Sequence, residues 1–170
     1  MVSTDDFRLL MGRLPTGVVA VTAVRDGEPV GLVVGSFFSV SLHPTLVGFC
    51  IGRSSTSWPR IEAFNGRFGA NILAADQAAI SMALAAPGGD KFGSIDWYPS
   101  PNGSPIIRGA VAYLDCEKTA SHNAGDHVLI IARVTRFHEV RDEGPLVFYR
   151  KGYYSLLQPR SGHQPTALSG

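Results

Sequence analysis

Val18-Val19-Ala20-Val21-Thr22-Ala23-Val24, Arg25-Asp26-Gly27-Glu28 and the apolar run from Val30 to Phe38 decide the fold. Val18 to Val24 is β-branched and apolar, the composition of a strand. Asp26-Gly27 signals a hairpin, because a two-residue turn of the favoured hand needs a positive φ at both positions. Val30 to Phe38 then returns as a second strand, and its nearly continuous apolar run predicts burial on both faces. Ser39 to His43 continues extended and turns at Pro44. Leu46 to Ile51 reads as a third strand.

The same region carries no Lys, Arg, Asp or Glu from Gly31 to Gly52. A membrane span needs roughly 20 mostly apolar residues. Ser36, Ser39, Ser41, His43, Pro44 and Thr45 interrupt this run, so two buried strands around a polar turn fit it better. Such strands imply an uncharged, polar-decorated pocket.

Outward from this hairpin, the pattern stays that of short strands. On the N-terminal side, Ser3-Thr4-Asp5-Asp6 opens a helix, Phe7, Leu10, Met11 and Leu14 recur at helical spacing, and Pro15 stops it. On the C-terminal side, Arg60 to Phe64 is a short helix with Pro59 in its first turn and Asn65-Gly66 at its end. Arg67 to Leu73 alternates and reads as a half-buried strand. Asp76 is the expected cap of an Ala-rich helix that runs to Ala86. Residues 87–109 form a long irregular connection, rich in Gly and Pro, of the kind that is usually functional or disordered. Val111 to Thr119 and Val128 to Val140 are strands joined by a turn over His122 to His127, and Leu146 to Arg150 is a further strand.

The chain has 170 residues, room for one domain. Its 19 glycines and 11 prolines argue against a helical bundle, where each interior Gly or Pro costs about 1 or 3 kcal/mol. Seven or eight strands, about three short helices and no βαβ alternation point to a mainly β protein, a closed or partly open antiparallel barrel. Residues 1–157 make that domain, and 158–170 are expected to be a flexible C-terminal tail. A net charge of +1 offers no field for nucleic acid and no membrane patch. Cys50 and Cys116 read as free buried thiols. The first ten residues lack a signal-peptide core, so a soluble cytoplasmic protein is expected.

Walker A, His-Glu-x-x-His, Gly-x-Ser-x-Gly and Gly-x-Gly-x-x-Gly motifs are absent. Three places can carry chemistry. Arg53-Ser54-Ser55-Thr56-Ser57 puts one guanidinium and four hydroxyls in five residues, which can surround a phosphate. The helix start at Trp58-Pro59 adds backbone N–H groups. A solvated polar loop is the plainer reading. His127 stands beside Asp126 at a hairpin mouth, either as a hydrogen-bond partner of a ligand or as an ordinary turn histidine. With His122 alone it lacks the further partners of a metal site, so no metal is expected. Phe148-Tyr149-Arg150-Lys151-Gly152-Tyr153-Tyr154 mixes rings with cations, suited either to an anionic aromatic ligand or to cross-strand pairs at a hairpin edge.

Taken in order, seven short motifs carry a resemblance. They are Met11-Gly12-Arg13-Leu14-Pro15-Thr16-Gly17-Val18; Gly31 to Pro44; Arg53-Ser54-Ser55-Thr56; Phe68-Gly69-Ala70-Asn71-Ile72-Leu73; Asp90-Lys91-Phe92; Gly125-Asp126-His127; and Tyr149-Arg150-Lys151-Gly152-Tyr153. In this order the chain resembles the short-chain flavin reductases, the reductase halves of two-component flavin-dependent monooxygenases, from about Phe7 to Tyr154.

The resemblance implies an antiparallel split β-barrel of the Greek-key, FMN-binding type, assembled as a homodimer. It implies FAD or FMN and NADH as cofactors, and a separate monooxygenase as partner. By the family pattern Val33, Val34, Gly35 and Ser36 run along the isoalloxazine, with Ser39 and Ser41 in the same segment. Arg53, Ser54, Ser55 and Thr56 would hold the flavin phosphate. Lys91 and Phe92 would flank the flavin from the long loop. His127, as the catalytic-site residue, and Tyr149, Arg150, Gly152 and Tyr153 would meet the nicotinamide nucleotide. Val33 and Gly35 stand where the family usually carries hydroxyl or amide side chains, which leaves fewer side-chain hydrogen bonds to the ring. A non-catalytic flavin-binding or electron-carrier protein on the same barrel is the alternative.

Overall fold

The computed structural model describes residues 2–156. The deciding hairpin forms as read. Strands β2 (Val19–Arg25) and β3 (Glu28–Val34) pair antiparallel from Val19↔Val34 to Arg25↔Glu28. Asp26 at φ 52° and Gly27 at φ 84° make the tight turn. The return strand stops at Val34 rather than Phe38, because its partner runs out. Val18 leaves the ladder, its N–H donating to the Leu146 carbonyl and its own carbonyl accepting from Leu73. The chain then crosses to β4 (Phe38–Leu42), turns through a cis His43–Pro44 bond and returns as β5 (Thr45–Gly52).

A seven-stranded antiparallel sheet in the order β3-β2-β6-β9-β10-β5-β4 curls into the barrel, with β6 at Arg67–Ile72, β9 at Ala112–Ala124 and β10 at His127–Glu139. The barrel is split. β3 is an end strand of the sheet, and β5 pairs with β4 only from Thr45 to Gly48. The edge of β3 and the Phe49–Gly52 half of β5 therefore face one another without a ladder. One clasp bridges this seam: the Ser36 hydroxyl accepts from Cys50 N at 2.9 Å and lies 3.3 Å from the Cys50 carbonyl.

Inside the barrel, Phe49, Phe68 and Trp58 meet edge to face at 5.5–6.1 Å among Val21, Ile61 and Ile130. Each fully buried ring of this kind contributes about 3 kcal/mol. A second core, with Val18, Ala20, Leu73, Leu84, Phe92 and Ile107, lies outside β2 beneath α3 (Ala78–Ala85). Val19 and Val21 belong to the first core and Val18 and Ala20 to the second, so this stretch is apolar on both faces.

Strand β6 is buried on both faces, not half-buried. The 87–109 connection holds a small hairpin, β7 (Trp97–Pro99) and β8 (Pro105–Ile107), that folds over its outer side. Asn71 fastens it. Its amide lies within hydrogen-bond reach of Thr22 Oγ1 (3.1 Å), Pro105 O (3.2 Å) and Ala20 O (3.4 Å), and its carbonyl accepts from Ile107 N at 2.9 Å.

Further differences have local causes. Asp76 does not cap α3, because its carboxylate accepts from Arg141 at 2.8 Å; Gln77 holds the helix start instead, accepting from Ala74 N at 3.0 Å. The β9–β10 turn is only Gly125-Asp126, with Ala124 and His127 already paired. That long hairpin contains two register shifts. Thr119 is an extra residue on β9 and Thr135 an extra residue on β10, and pairing beyond the second resumes the original count. Each hydroxyl donates to a carbonyl across the ladder, Thr119 to Ile131 and Thr135 to Asp115. Helix α1 (Thr4–Met11) starts at Ser3 as expected but buries none of its residues. Strand β1 (Thr16–Gly17) joins β11 (Leu146–Tyr149) and β12 (Gly152–Ser155) in a three-stranded sheet. The short helix after the serine loop is α2 (Trp58–Glu62). The tail expected past Leu157 lies outside the described residues.

Asn71→Ala is expected to cost about 1–3 kcal/mol, since it strands the Ile107 N–H in the interior, while the Pro105 carbonyl keeps the Thr22 hydroxyl at 2.7 Å. Urea unfolding followed by circular dichroism should show the lower midpoint.

Candidate functional site

The seam opens into a cavity of about 350 Å³. Val33, Val34, Gly35 and Ser36 form one wall, Cys50, Ile51 and Gly52 the other, and Ser55 and His127 stand at the rim. The β3 edge has no partner strand, so its outward N–H and C=O groups remain for a ligand, whereas on the β5 side the Cys50 N–H and C=O meet the Ser36 hydroxyl and Gly52 O accepts from Ser55 N. A flat heterocycle with donors and acceptors along its rim matches that offer.

His127 reaches this cavity through register, because it pairs with Gly52 on the neighbouring strand. Its Nδ1 lies 2.7 Å from Asp126 Oδ1. The hydrogen bond from His127, together with its charge, holds the Asp126 carboxyl below the usual carboxylate range. The carboxylate is thus the acceptor, Nδ1 carries the proton, and Nε2 is left as the ring's second polar atom. That Nε2 lies 3.9 Å from where a Cβ on Gly52 would stand.

The serine loop is partly spoken for. Ser55 Oγ accepts from Trp58 N at 3.2 Å, and Arg60 N and Ile61 N donate to the Ser57 carbonyl, so the N–H groups at the start of α2 already have partners. Arg53 turns away from the cavity: its Nε donates to Gly125 O and its Nη2 to Asn123 Oδ1, both at 2.8 Å. It braces the hairpin that carries His127. Ser54 and Thr56 are exposed.

Lys91 lines a second, polar cavity of about 180 Å³ with Ser57, Arg60 and Gly31. Its ammonium donates to Leu84 O at 2.9 Å and to Ser57 Oγ at 3.2 Å. Burial, and then the neighbouring Arg60 charge, pull its pKa below the ordinary lysine value. Glu28 and Asp90 line the same cavity, so its two cations stand beside two carboxylates. Arg60 was not singled out by the sequence reading; its only signal there was its position just past the serine loop. Cys50, Ile51 and Gly52 belong to the uncharged run expected to wall a pocket, but no residue signal singles them out within it.

Phe92 is buried and does not line either cavity. Its ring lies 3.1 Å from where a Cβ on Gly31 would stand, so it supports β3 from behind. Tyr153 lines a third cavity, about 210 Å³, against Val33, Val34, Gly35 and Phe148, with its hydroxyl 2.9 Å from Ser81 Oγ. Tyr149, Arg150 and Gly152 sit at the adjoining hairpin end, the Arg150 guanidinium 5.3 Å over the Tyr149 ring. Ser39 and Ser41 lie on β4, outside these cavities. The structure therefore gathers Val33 to Ser36, Ser55 and His127 at one place, and Lys91 and Tyr153 at its flanks.

Fold and site together define a split-barrel protein with an uncharged slot along its seam. The chain belongs to the flavin reductase like domain family, whose model matches residues 11–157. It is 42% identical over 153 residues to the reductase subunit HsaB of a flavin-dependent monooxygenase from Rhodococcus jostii, covering 90% of this chain and 77% of that one. Nitrilotriacetate monooxygenase component B from Mycobacterium thermoresistibile superposes with a TM-score of 0.88 at 39% identity, covering 98% and 94% of the two chains. The NADH:FAD oxidoreductase SgcE6 of Streptomyces globisporus, solved with NAD and FAD fragments, gives a TM-score of 0.86 at 30% identity, covering 94% and 98%.

Gly35 has a steric reason to be glycine, because a Cβ there would stand 2.7 Å from Thr16 Oγ1. Gly35→Ala is expected to cost about 1–3 kcal/mol. Adding Thr16→Ala should recover most of that loss, and a double-mutant cycle on thermal unfolding measures the coupling.

Proposed function

We propose that this protein is a flavin reductase that uses NADH to reduce FAD or FMN and releases the reduced flavin to a separate monooxygenase. The observation that carries this reading is the unladdered seam, an uncharged slot with an unpaired β3 edge on one wall and an imidazole at its rim. Names of relatives support it, since HsaB is a reductase subunit and SgcE6 is an NADH:FAD oxidoreductase.

When bound, the flavin supplies the hydride acceptor, and the protein supplies position. Backbone groups of Val33 to Ser36 orient the ring edge. Ser54, Ser55 and Thr56, with Lys91 and Arg60, meet the phosphate, while Arg53 braces the loop against the His127 hairpin. Nε2 of His127 takes a hydrogen bond from the nicotinamide carboxamide and orients that ring. Tyr149, Arg150, Gly152 and Tyr153 meet the rest of the nucleotide. With Val33 and Gly35 offering no side-chain donor, the ring is held mainly by backbone, which suits a ligand that must leave after reduction.

The reading includes a cytoplasmic homodimer. Phe7, Leu9, Leu10 and Leu14 on and after α1, and Phe38, Val40 and Leu42 on β4, are exposed apolar side chains of the kind a partner subunit covers. Both cysteines are free, as in a reducing compartment. Among the described residues no helix is long and apolar enough to cross a membrane.

Purified protein mixed with NADH and FAD or FMN should consume NADH, read as loss of nicotinamide absorbance, only when flavin is present. His127→Ala should raise the KM for NADH more than that for flavin. A yellow protein whose flavin survives gel filtration, with no NADH turnover, would instead identify a flavin carrier. In fluorescence titrations, Lys91→Met is expected to weaken FMN binding about tenfold, equivalent to about 1.4 kcal/mol. Arg53→Met should weaken it less, because that guanidinium is already engaged.

A further inference from the structure

A cleft of about 480 Å³ lies between α1 and the β11–β12 turn, and Arg8, Arg13, Arg150 and Lys151 line it together. Arg8 has a carboxylate within 4 Å only in exposed Asp5, at 3.8 Å. Among the described residues, Arg13, Arg150 and Lys151 have none. Four cationic residues line one space with almost no countercharge among the described residues, the Arg150 guanidinium also lying 5.3 Å over the Tyr149 ring.

The turn that presents two of them is strained. Arg150 at φ 47° and Lys151 at φ 64° occupy the left-handed region in a two-residue hairpin turn, where Asn-Gly is the relaxed choice. Strained residues that persist in a fold cluster at ligand sites. The turn is anchored from α1, with Arg150 N donating to Gly12 O at 3.0 Å.

The cleft also has neighbours that point to its occupant. Two residues past Lys151, Tyr153 lines the cavity against Val33 to Gly35, roughly 7 Å along the strand. The cations therefore lie beyond Tyr153, one of the groups proposed to meet the nicotinamide nucleotide. The flavin phosphate has its own cations, Lys91 and Arg60, in a separate cavity.

We infer that Arg8, Arg13, Arg150 and Lys151 hold the diphosphate of the nicotinamide dinucleotide, an assignment that rests on the reductase reading and locates its second substrate. The source of the diphosphate matters, since FAD carries one too. FMN, which has none, separates the two.

The test is steady-state kinetics with FMN as acceptor, on Arg13→Gln, Lys151→Gly and the double variant. The double variant should raise the KM for NADH about tenfold, leaving the KM for FMN within twofold. Lys151→Gly relieves the left-handed strain, so it should raise Tm while still raising the KM for NADH. Inorganic pyrophosphate should inhibit competitively with NADH. Calorimetric titration with ADP reads the cleft without turnover, and the double variant should lose that binding. An unchanged KM for NADH in the folded variants, a shift in the KM for FMN instead, or equal ADP binding by wild type and double variant would overturn the assignment. Absence of any NADH oxidation by the wild type would sink the reductase reading separately, and the ADP titration would still decide the cleft.

Discussion

The organising constraint of this molecule is a hydrogen-bond ladder that is left unfinished. A fully closed barrel would satisfy β3 and the second half of β5 against each other. Here they approach and stop, tied across the gap by the Ser36 hydroxyl at Cys50. Unpaired strand edges are normally a liability, open to adventitious pairing. This seam is short and recessed, and its walls are where a ring can complete the bonding the strands leave open. The polar cavity by Lys91, the serine loop and the histidine are all arranged around that gap.

Two cores keep the gap in shape. The aromatic cluster of Phe49, Phe68 and Trp58 fills the barrel behind β5. The second core, with Phe92 and Leu84, presses β3 from outside through the space left by Gly31. Strand β2 serves both, so the region that decides the fold also positions the site. Cys116 is sealed inside the first core, where burial and then Asp115 push its thiol up to about 12 and keep it protonated.

Much of this was legible in the sequence because its signals are local. The Asp26-Gly27 turn, the uncharged run from Gly31 to Gly52 and the Ser3 cap each depend on neighbours a few residues away. What could not be read depends on distant partners. Whether β3 ends at Val34 turns on where Val18 finds Leu146 and Leu73. Asp76 has good capping chemistry, but Arg141 claims it from 65 residues away. Arg53 is a sound phosphate ligand by type, yet Asn123 and Gly125 already occupy its donors. Arg60 carried no motif; only the fold sets it beside Lys91.

The paired extra residues at Thr119 and Thr135 bear on how such a barrel can change over time. Each alone puts the β9–β10 pairing out of step by one, and together they cancel. Since one step of slippage moves every side chain beyond it to the opposite face, a lineage could not lose either threonine first without passing through a misaligned sheet. The two insertions work as a pair, and together they keep the long hairpin that carries His127 in step from a distance.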